Sequence, residues 1–403
     1  MQQPVRIDAS PHPGQAAVHR SKARFKVLDC GRRWGKTRLG VMECYDVAAL
    51  ALRAWWVAPS YKMSEVGWRP MRRLAAQIPG ATIHRSNRQI ILPGGGEMSV
   101  RSADNPDSLR GDGLDFVVLD ECAFMAEEAW SEALRPALAD RQGRALFIST
   151  PKGRNWFWRL WQAATEGGEW QCWRFSSYDN PHIARSEIDA ARANLPERVF
   201  AQEFMAEFLE DGGGVFRFVQ EQATAQPLDG PETGRQYIVG VDWGRVADAT
   251  VFSVVDVARK AQVYQDRMIG SDYGTQRTRL QALHRHWKPT VIMAEYNSMG
   301  GPLVEQLQRD GLPVQAFTTT NASKRVLIDG LSLAFENREI TILNDPITIG
   351  ELQAYEMETL ASGMIRFGAP EGVHDDCVMA LGLAWYAANH GLMETIEENP
   401  FYA

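Results

Sequence analysis

Three stretches of the sequence carry residues that can handle phosphate. The first is Cys30-Gly31-Arg32-Arg33-Trp34-Gly35-Lys36-Thr37, directly after an apolar run and opening a helical one. Hydrolysis of a nucleoside triphosphate needs backbone N–H groups around the β-phosphate, a lysine reaching the β/γ oxygens and a hydroxyl for Mg²⁺. The pattern G-x-x-x-x-G-K-[ST] supplies all three at a helix N-terminus. Cys30 stands where the first glycine is expected, and Gly31 follows one place later. Gly31, Arg32, Arg33, Gly35, Lys36 and Thr37 are therefore the candidate phosphate-binding residues.

The second stretch, Asp115-Phe116-Val117-Val118-Leu119-Asp120-Glu121, is an apolar run ending in two carboxylates. At such a strand end Asp120 is placed to hold Mg²⁺ and Glu121 to polarise the attacking water. Taken alone it is better read as a strand followed by a solvated acidic turn; beside a phosphate loop the chemical reading prevails. Smaller features fit the same site. Thr150, in Ser149-Thr150-Pro151, ends the next apolar run and offers a hydroxyl to sense the γ-phosphate. Gln15, in His12-Pro13-Gly14-Gln15, offers a paired donor and acceptor for adenine. Arg110, in Ser108-Leu109-Arg110-Gly111, is a candidate arginine finger, in cis or from a neighbouring subunit. Each of these three, alone, is as readily an ordinary turn or surface residue.

The third constellation is spread out. Tyr237–Val241 is apolar and ends at Asp242, Val291–Ala294 ends at Glu295, and His374-Asp375-Asp376 opens the last helical stretch. Phosphodiester cleavage by two divalent cations, Mg²⁺ or Mn²⁺ about 4 Å apart, needs carboxylates drawn from separate elements. A carboxylate buried at a strand end is otherwise costly. Asp242, Glu295, Asp375 and Asp376 are the candidate ligands, and Asp248, shortly after Asp242, is a further one.

The elements that must position these residues fall into two groups. Lys26–Cys30, Ala54–Ala58, Phe116–Leu119 and Ala145–Ser149 read as buried strands separated by helices such as Thr37–Leu52 and Ala126–Ala139. That alternation predicts a mostly parallel α/β sheet. Asp211-Gly212-Gly213-Gly214 and the polar stretch to Arg235 break the composition, so the domain boundary is placed at 211–234. Beyond it, Tyr237–Val241, Thr250–Val257 and Ala261–Ile269 are spaced as antiparallel pairs. Val291–Ala294 and Val314–Thr318 then alternate with helices, predicting a mixed sheet. The final helix, His374–Asn389, sets Cys377, Ala380, Leu381, Ala384 and Trp385 on one apolar face.

The 403 residues suit two domains of ordinary globular composition. No apolar run is long enough to span a membrane, and Met1–Ser10 lacks the basic-then-apolar pattern of a secretory leader. Cys30, Cys44, Cys122, Cys172 and Cys377 are odd in number and never spaced as C-x-x-C, which predicts reduced thiols in a cytoplasm. The net charge of −7 hides an asymmetry. Arg20, Lys22, Arg24, Lys26, Arg32, Arg33, Lys36 and Arg38 face only Asp29 within 20–38, while Glu394, Glu397 and Glu398 make the tail acidic.

The ordered set of motifs resembles the large terminase subunits of tailed bacteriophages over nearly the whole length. It comprises R-R-x-G-K-T, S-L-R-G before D-x-V-x-L-D-E, S-T-P-K-G at 149–153, V-D-W-G and H-D-D. Glu197-Arg198 and Gln202–Phe208 look like the lid helix closing the ATPase domain. The resemblance implies a P-loop ATPase domain over 1–210, a linker over 211–234 and a ribonuclease-H-like nuclease domain over 235–403. Asp242, Glu295 and the Asp375/Asp376 pair would lie at the metals, Arg110 would act in trans, and Arg32 or Arg33 would be a phosphate-loop arginine. It further implies a motor that pumps double-stranded DNA into a procapsid and a nuclease that cuts the concatemer. The partners would be a portal, a small terminase subunit that recognises viral DNA, and further copies in a ring, expected to be a pentamer. Its place would be the host bacterial cytoplasm, outside the mature virion. Glu295 stands where many relatives have aspartate, which lengthens the reach. The negative net charge does not oppose DNA binding, since a sliding motor gains nothing from neutralising many phosphates.

Two other readings compete. A helicase- or recombination-type ATPase without nuclease activity would separate strands and cut nothing; no second full motor domain follows Ser149. A non-enzymatic C-terminal half would serve only to dock a portal or small subunit.

Overall fold

The computed structural model describes residues 10–111, 113–209, 214–244, 248–297, 300–359, 365–370 and 373–390. The acidic tail residues Glu394, Glu397 and Glu398, and Asp211–Gly213 of the boundary, lie outside them. The chain divides into two compact units, essentially 1–211 and 212–403, with a small exchange of segments near 195–197 and 359–364.

The first unit is built on eight strands: β1 (Phe25–Cys30), β2 (Arg53–Ala58), β3 (Thr82–His84), β4 (Gln89–Ile91), β5 (Glu97–Ser102), β6 (Phe116–Asp120), β7 (Arg144–Ser149) and β8 (Trp170–Phe175). They form one sheet in the order β3-β4-β5-β2-β6-β7-β1-β8. From β5 to β8 every pairing is parallel, and the short β3–β4–β5 edge is antiparallel. The expected mostly parallel sheet is what forms. Its central strands are near-continuous apolar runs because helices cover both faces. Leu28, Trp56, Val118 and Ile148 pack on one face against Leu39, Cys44 and Val47 of the helix Lys36–Ala49. Val27, Val57, Val117 and Phe147 fill the other face with Trp130 and Phe157. β8 was not foreseen; its alternation of half-buried and exposed residues marks an edge strand.

The helix read over Ala126–Ala139 is irregular. Ala129–Leu134 is wound as a π-helix, followed by a short α-helical turn at Arg135–Ala137. Pro136 lies there and has no N–H to continue the regular ladder.

The second unit holds a five-stranded mixed sheet of β9 (Tyr237–Asp242), β10 (Ala249–Asp256), β11 (Ala261–Ile269), β12 (Val291–Glu295) and β13 (Val314–Phe317), ordered β11-β10-β9-β12-β13. β9, β10 and β11 pair antiparallel, while β12 runs parallel to both β9 and β13. Leu280, Leu283, Trp287, Val304 and Leu307 cover one face. The last described helix, Asp376–His390, covers the other. Instead of presenting a single apolar face, this helix is buried at every residue from Asp376 to Trp385. It lies between the sheet and the helices Asn321–Glu336 and Pro346–Ala354. The stretch read as a linker packs, from Gly214 on, within this unit. Val215 N–H donates to the Tyr355 carbonyl at 3.0 Å, and Leu228 N–H to that of Val263 at 2.9 Å. Phe216 packs against Phe335 and Tyr355.

Gly240 in β9 allows the helix Asp376–His390 to seat. A Cβ there would overlap the Ala380 carbonyl oxygen and lie 2.5 Å from Ala384 N. Overpacking of this kind costs about 1–3 kcal/mol. Gly240→Ala should therefore lower the Tm of the second unit by roughly 3–10 °C in calorimetry and leave the first unit's transition unmoved; an unshifted transition would show that the helix does not depend on that close approach.

Candidate active sites

Parallel strands bring their C-terminal ends to one edge, where an open α/β sheet binds ligands. In the first unit the register Asp29↔Ser149 and Asp120↔Ile148 places the ends of β1, β7 and β6 side by side. The loop Gly31–Gly35 leaves β1 there and runs into the helix that starts at Lys36. Two of its positions exclude a side chain. A Cβ on Gly31 would overlap the Phe204 carbonyl oxygen and lie 2.7 Å from Ser177 N. Gly35 has φ 107°, and its Cβ would come within 2.6 Å of Gln15 Nε2. Cys30 is still extended strand, which is why a side chain is accepted where the pattern has glycine.

Lys36 folds back over the loop. Its Nζ donates to the carbonyls of Cys30 at 3.1 Å and Gly31 at 3.4 Å and stands 3.8 Å from Glu121 Oε1. Glu121 sits in the left-handed region at φ 48°. Its Oε2 accepts from Ser149 Oγ, Thr150 N–H and Thr150 Oγ1, each at 3.3 Å. Asp120 is buried beside it. Burial and the Glu121 charge push its carboxyl well above the usual range, with Lys36 opposing. Thr37 is half-buried in the first helical turn. The structure thus brings Lys36, Asp120, Glu121 and Thr150 together.

The loop is braced by residues that the sequence did not single out. Glu203 holds Arg32 twice, its carbonyl accepting the Arg32 N–H and its Oε2 the Arg32 Nε, both at 2.6 Å. Ser177 Oγ donates to the Arg32 carbonyl at 2.6 Å, and Asn180 Nδ2 to that of Arg33 at 2.7 Å. Arg33 is left-handed at φ 61°, a conformation costing about 1–3 kcal/mol that these bonds sustain. A His12 ring nitrogen bonds the Trp34 carbonyl at 3.0 Å. Gln15 Nε2 donates to the Gly35 carbonyl at 3.0 Å and its Oε1 accepts from His12 N–H at 3.1 Å. Both ends of the amide expected to read adenine are here spent on the loop and its own helix start. Arg110 lies at the surface, its guanidinium between Asp107 at 3.0 Å and Glu132 at 2.9 Å. These pairs do not bring it to the phosphate loop of its own chain.

In the second unit, Ala294 pairs with Val241, so Glu295 ends β12 beside Asp242 at the end of β9. Burial, then the charges of Glu295 and Asp376, push the Asp242 carboxyl well above the usual range. Asp376 Oδ2 accepts the Ala249 N–H at 3.0 Å, which fixes the start of its helix over β10. Burial raises its carboxyl too, aided by Asp248 and Asp375. His374 Nδ1 lies 3.5 Å from Asp248 Oδ1 and 4.0 Å from Asp376 Oδ2. Asp375 turns to Lys324, whose Nζ donates to Oδ2 at 3.0 Å. Tyr355 is fully buried with no partner for its hydroxyl, and Asp375 and Asp242 act on it electrostatically. Lys324, Tyr355 and Glu351, whose Oε2 accepts the Cys377 N–H at 2.7 Å, were not foreseen. The signals for this site were the apolar runs ahead of Asp242 and Glu295 and the His-Asp-Asp that opens the last helix.

Hard cations suit this donor set, since it is all oxygen and of one sign, with Asp242 and Asp376 buried. The carboxylates gather pairwise; among the described residues no three acidic, histidine or cysteine side chains close a cage around one point.

The two sites and sheets define a class, a P-loop ATPase unit followed by a ribonuclease-H-like nuclease unit. Residues 28–223 match the family description "Terminase large subunit, T4likevirus-type, N-terminal", and residues 239–387 match "Terminase RNaseH-like domain". The chain is 30% identical over 439 residues to the terminase large subunit of Thermus virus P23-45, covering 97% of this chain and 90% of that relative. It is 30% identical over 211 residues to that of Escherichia phage T5, covering 50% of this chain and 47% of that one. A solved large terminase from a thermophilic bacteriophage shares the fold, with a TM-score of 0.63 at 14% identity, over 94% of this chain and 98% of that one. The chain belongs to the terminase large subunit family and is an enzyme of two parts, an ATPase and a metal-dependent nuclease.

Asp29 precedes the phosphate loop by one residue and is fully buried. Arg174 Nε donates to its Oδ2 at 2.9 Å, and Oδ1 has no partner. Burial raises its carboxyl from 3.8 to about 7 against Arg174 and Lys36. The folded state therefore keeps this proton after the unfolded chain has lost it. That stabilisation is complete below about 4 and is lost as pH rises through about 7. Asp29→Asn should flatten the fall in Tm between pH 4 and pH 7; an unaltered slope would exclude Asp29 as its source.

Proposed function

We propose that the first unit converts ATP hydrolysis into translocation of double-stranded DNA into a procapsid, and that the second cuts the DNA concatemer by two-metal phosphodiester hydrolysis. The observation that supports this is the pairing, in one chain, of a braced phosphate loop facing Glu121 with a buried Asp242 carboxyl set against the charges of Glu295 and Asp376.

In the ATPase unit, backbone N–H groups from Gly31 to Gly35 and the Lys36 ammonium would cradle the triphosphate. ATP then takes over Lys36 from the Cys30 and Gly31 carbonyls. Thr37 and Asp120 would hold the Mg²⁺ that accompanies ATP. Glu121 would polarise the attacking water. Because Ser149 and Thr150 bond the same Glu121 oxygen, a change in that carboxylate's hydrogen bonding on hydrolysis pulls directly on the end of β7. Arg32 would stabilise phosphate charge while tied to Glu203, and Arg33 would offer a second guanidinium. Gln15 would hold the loop through Gly35 and, with its amide re-aimed, meet adenine. Arg110, exposed and held only by surface carboxylates, is suited to act on a neighbouring copy in a ring, taken to be a pentamer.

In the nuclease unit, Asp242, Glu295, Asp375 and Asp376 would hold two divalent cations, Mg²⁺ or Mn²⁺, with Asp248 within reach. Those cations supply Lewis-acid activation of water and neutralise the phosphodiester charge. The chain's own part is to hold the carboxylates: β9 and β12 fix Asp242 and Glu295, the Ala249 N–H orients Asp376, and Lys324 orients Asp375. The partners implied are duplex DNA, a portal and a small terminase subunit. The host bacterial cytoplasm is the compartment, with no part in the mature virion. Among the described residues no helix is long and apolar enough to cross a membrane.

The two activities should separate in the full chain. Lys36→Ala should reduce ATP turnover by at least about 10³-fold and leave Mn²⁺-dependent cleavage of plasmid DNA intact; Asp242→Asn should do the reverse. Cleavage that survives Asp242→Asn would contradict the nuclease assignment, and turnover that survives Lys36→Ala the ATPase assignment.

A further inference from the structure

The basic run 20–38 is only partly taken up by the phosphate loop. Arg32 pairs with Glu203, Arg24 with Glu169 and the Gly143 carbonyl, and Arg38 reaches the Ser10 carbonyl. Arg20 and Lys22 turn elsewhere. Together with Arg144 they line a cavity of about 420 Å³, whose wall also includes His19, Glu43 and Asp46. That volume lies within the range of small-ligand sites. Lys26 is the second residue of β1 and Arg144 the first of β7, so the cavity opens at the N-terminal edge of the sheet, away from the phosphate loop.

The carboxylates of the wall are already engaged. Glu43 Oε1 lies 2.8 Å from His19 Nδ1, and its Oε2 lies 3.7 Å from the buried Lys26 ammonium, which also donates to the Val18 carbonyl at 2.8 Å. Asp46 stands 3.8 Å from the same histidine nitrogen. Among the described residues, Arg20, Lys22 and Arg144 have no carboxylate partner, and all three are exposed. Three cations of the wall, together with Lys26 buried behind Glu43, outnumber the two carboxylates by two positive charges. A phosphate dianion neutralises that excess, and a lone carboxylate does not. Its several oxygens also match the fork of an arginine and the point charge of a lysine.

We propose that this cavity is a second anion site, separate from the phosphate loop, that takes a phosphoryl group. Two sources carry one: the backbone of double-stranded DNA, and free phosphate. The DNA source rests on the packaging reading; the free-phosphate source does not.

The test uses the full chain saturated with a non-hydrolysable ATP analogue, so that the phosphate loop is filled. Inorganic phosphate is titrated calorimetrically, and a 30-base-pair duplex is bound across a salt series. Both are repeated with the triple variant Arg20→Gln, Lys22→Gln, Arg144→Gln, whose unchanged ATP turnover reports an intact fold. Binding of phosphate that the variant loses assigns free phosphate. A duplex affinity about tenfold weaker in the variant, with a log–log salt slope shallower by up to about 3, assigns the DNA backbone. If neither probe distinguishes the variant from the parent, or if an oligoglutamate peptide competes as well as phosphate, the proposal is wrong.

Discussion

Like charges held together at the ends of strands are the constraint on which this molecule turns. Two carboxylates 4 Å apart repel by about 4 kcal/mol at an effective dielectric near 20, and burial adds to that. Asp242 is nonetheless set against Glu295 on one side and Asp376 on the other, because the backbone leaves it no alternative. β9 and β12 pair in parallel and end together, and Asp376 is tied to the Ala249 N–H. The cost is visible in the Asp242 carboxyl, driven well above its ordinary range by burial and then by the charges of Glu295 and Asp376. A cluster of this kind stores a demand for positive charge, and a divalent cation meets it better than the single ammonium of Lys324.

The first unit applies the same constraint with a lysine ammonium as the counter-charge. Asp120 and Glu121 end β6 against Lys36, and Glu121 is further held by the hydroxyls that end β7. The phosphate loop itself is under tension. Arg33 and Glu121 both occupy left-handed backbone, and Glu203, Ser177 and Asn180 fasten the loop from outside. Glu203 belongs to the helix Glu197–Glu203 near the end of this unit, so two bonds to a single arginine tie that helix to the loop.

What the sequence made legible was local. An apolar run closed by an acid marks β6, β9 and β12, and G-K-T after a strand marks the loop, so the ends of these strands are legible in the sequence alone. The braces were not legible. Ser177 lies 145 residues from the Arg32 that it bonds, and Lys324 lies 51 from Asp375. No periodicity connects such pairs. The single apolar face read for the last helix understated its burial, since Val378, Met379, Gly382 and Leu383, which lie off that face, are buried as well. The glycine-rich break at 211–214 looked like the start of a connector, yet Phe216 and Leu228 were already apolar residues with a core to enter.

The account stands most directly on where divalent cations settle. Anomalous scattering from a crystal of the full chain soaked in Mn²⁺ should show ions bound by Asp242 together with Glu295 or Asp376, with the Lys324 ammonium moved off Asp375. Ions that bind elsewhere, or a carboxylate cluster left unchanged at saturating Mn²⁺, would contradict it.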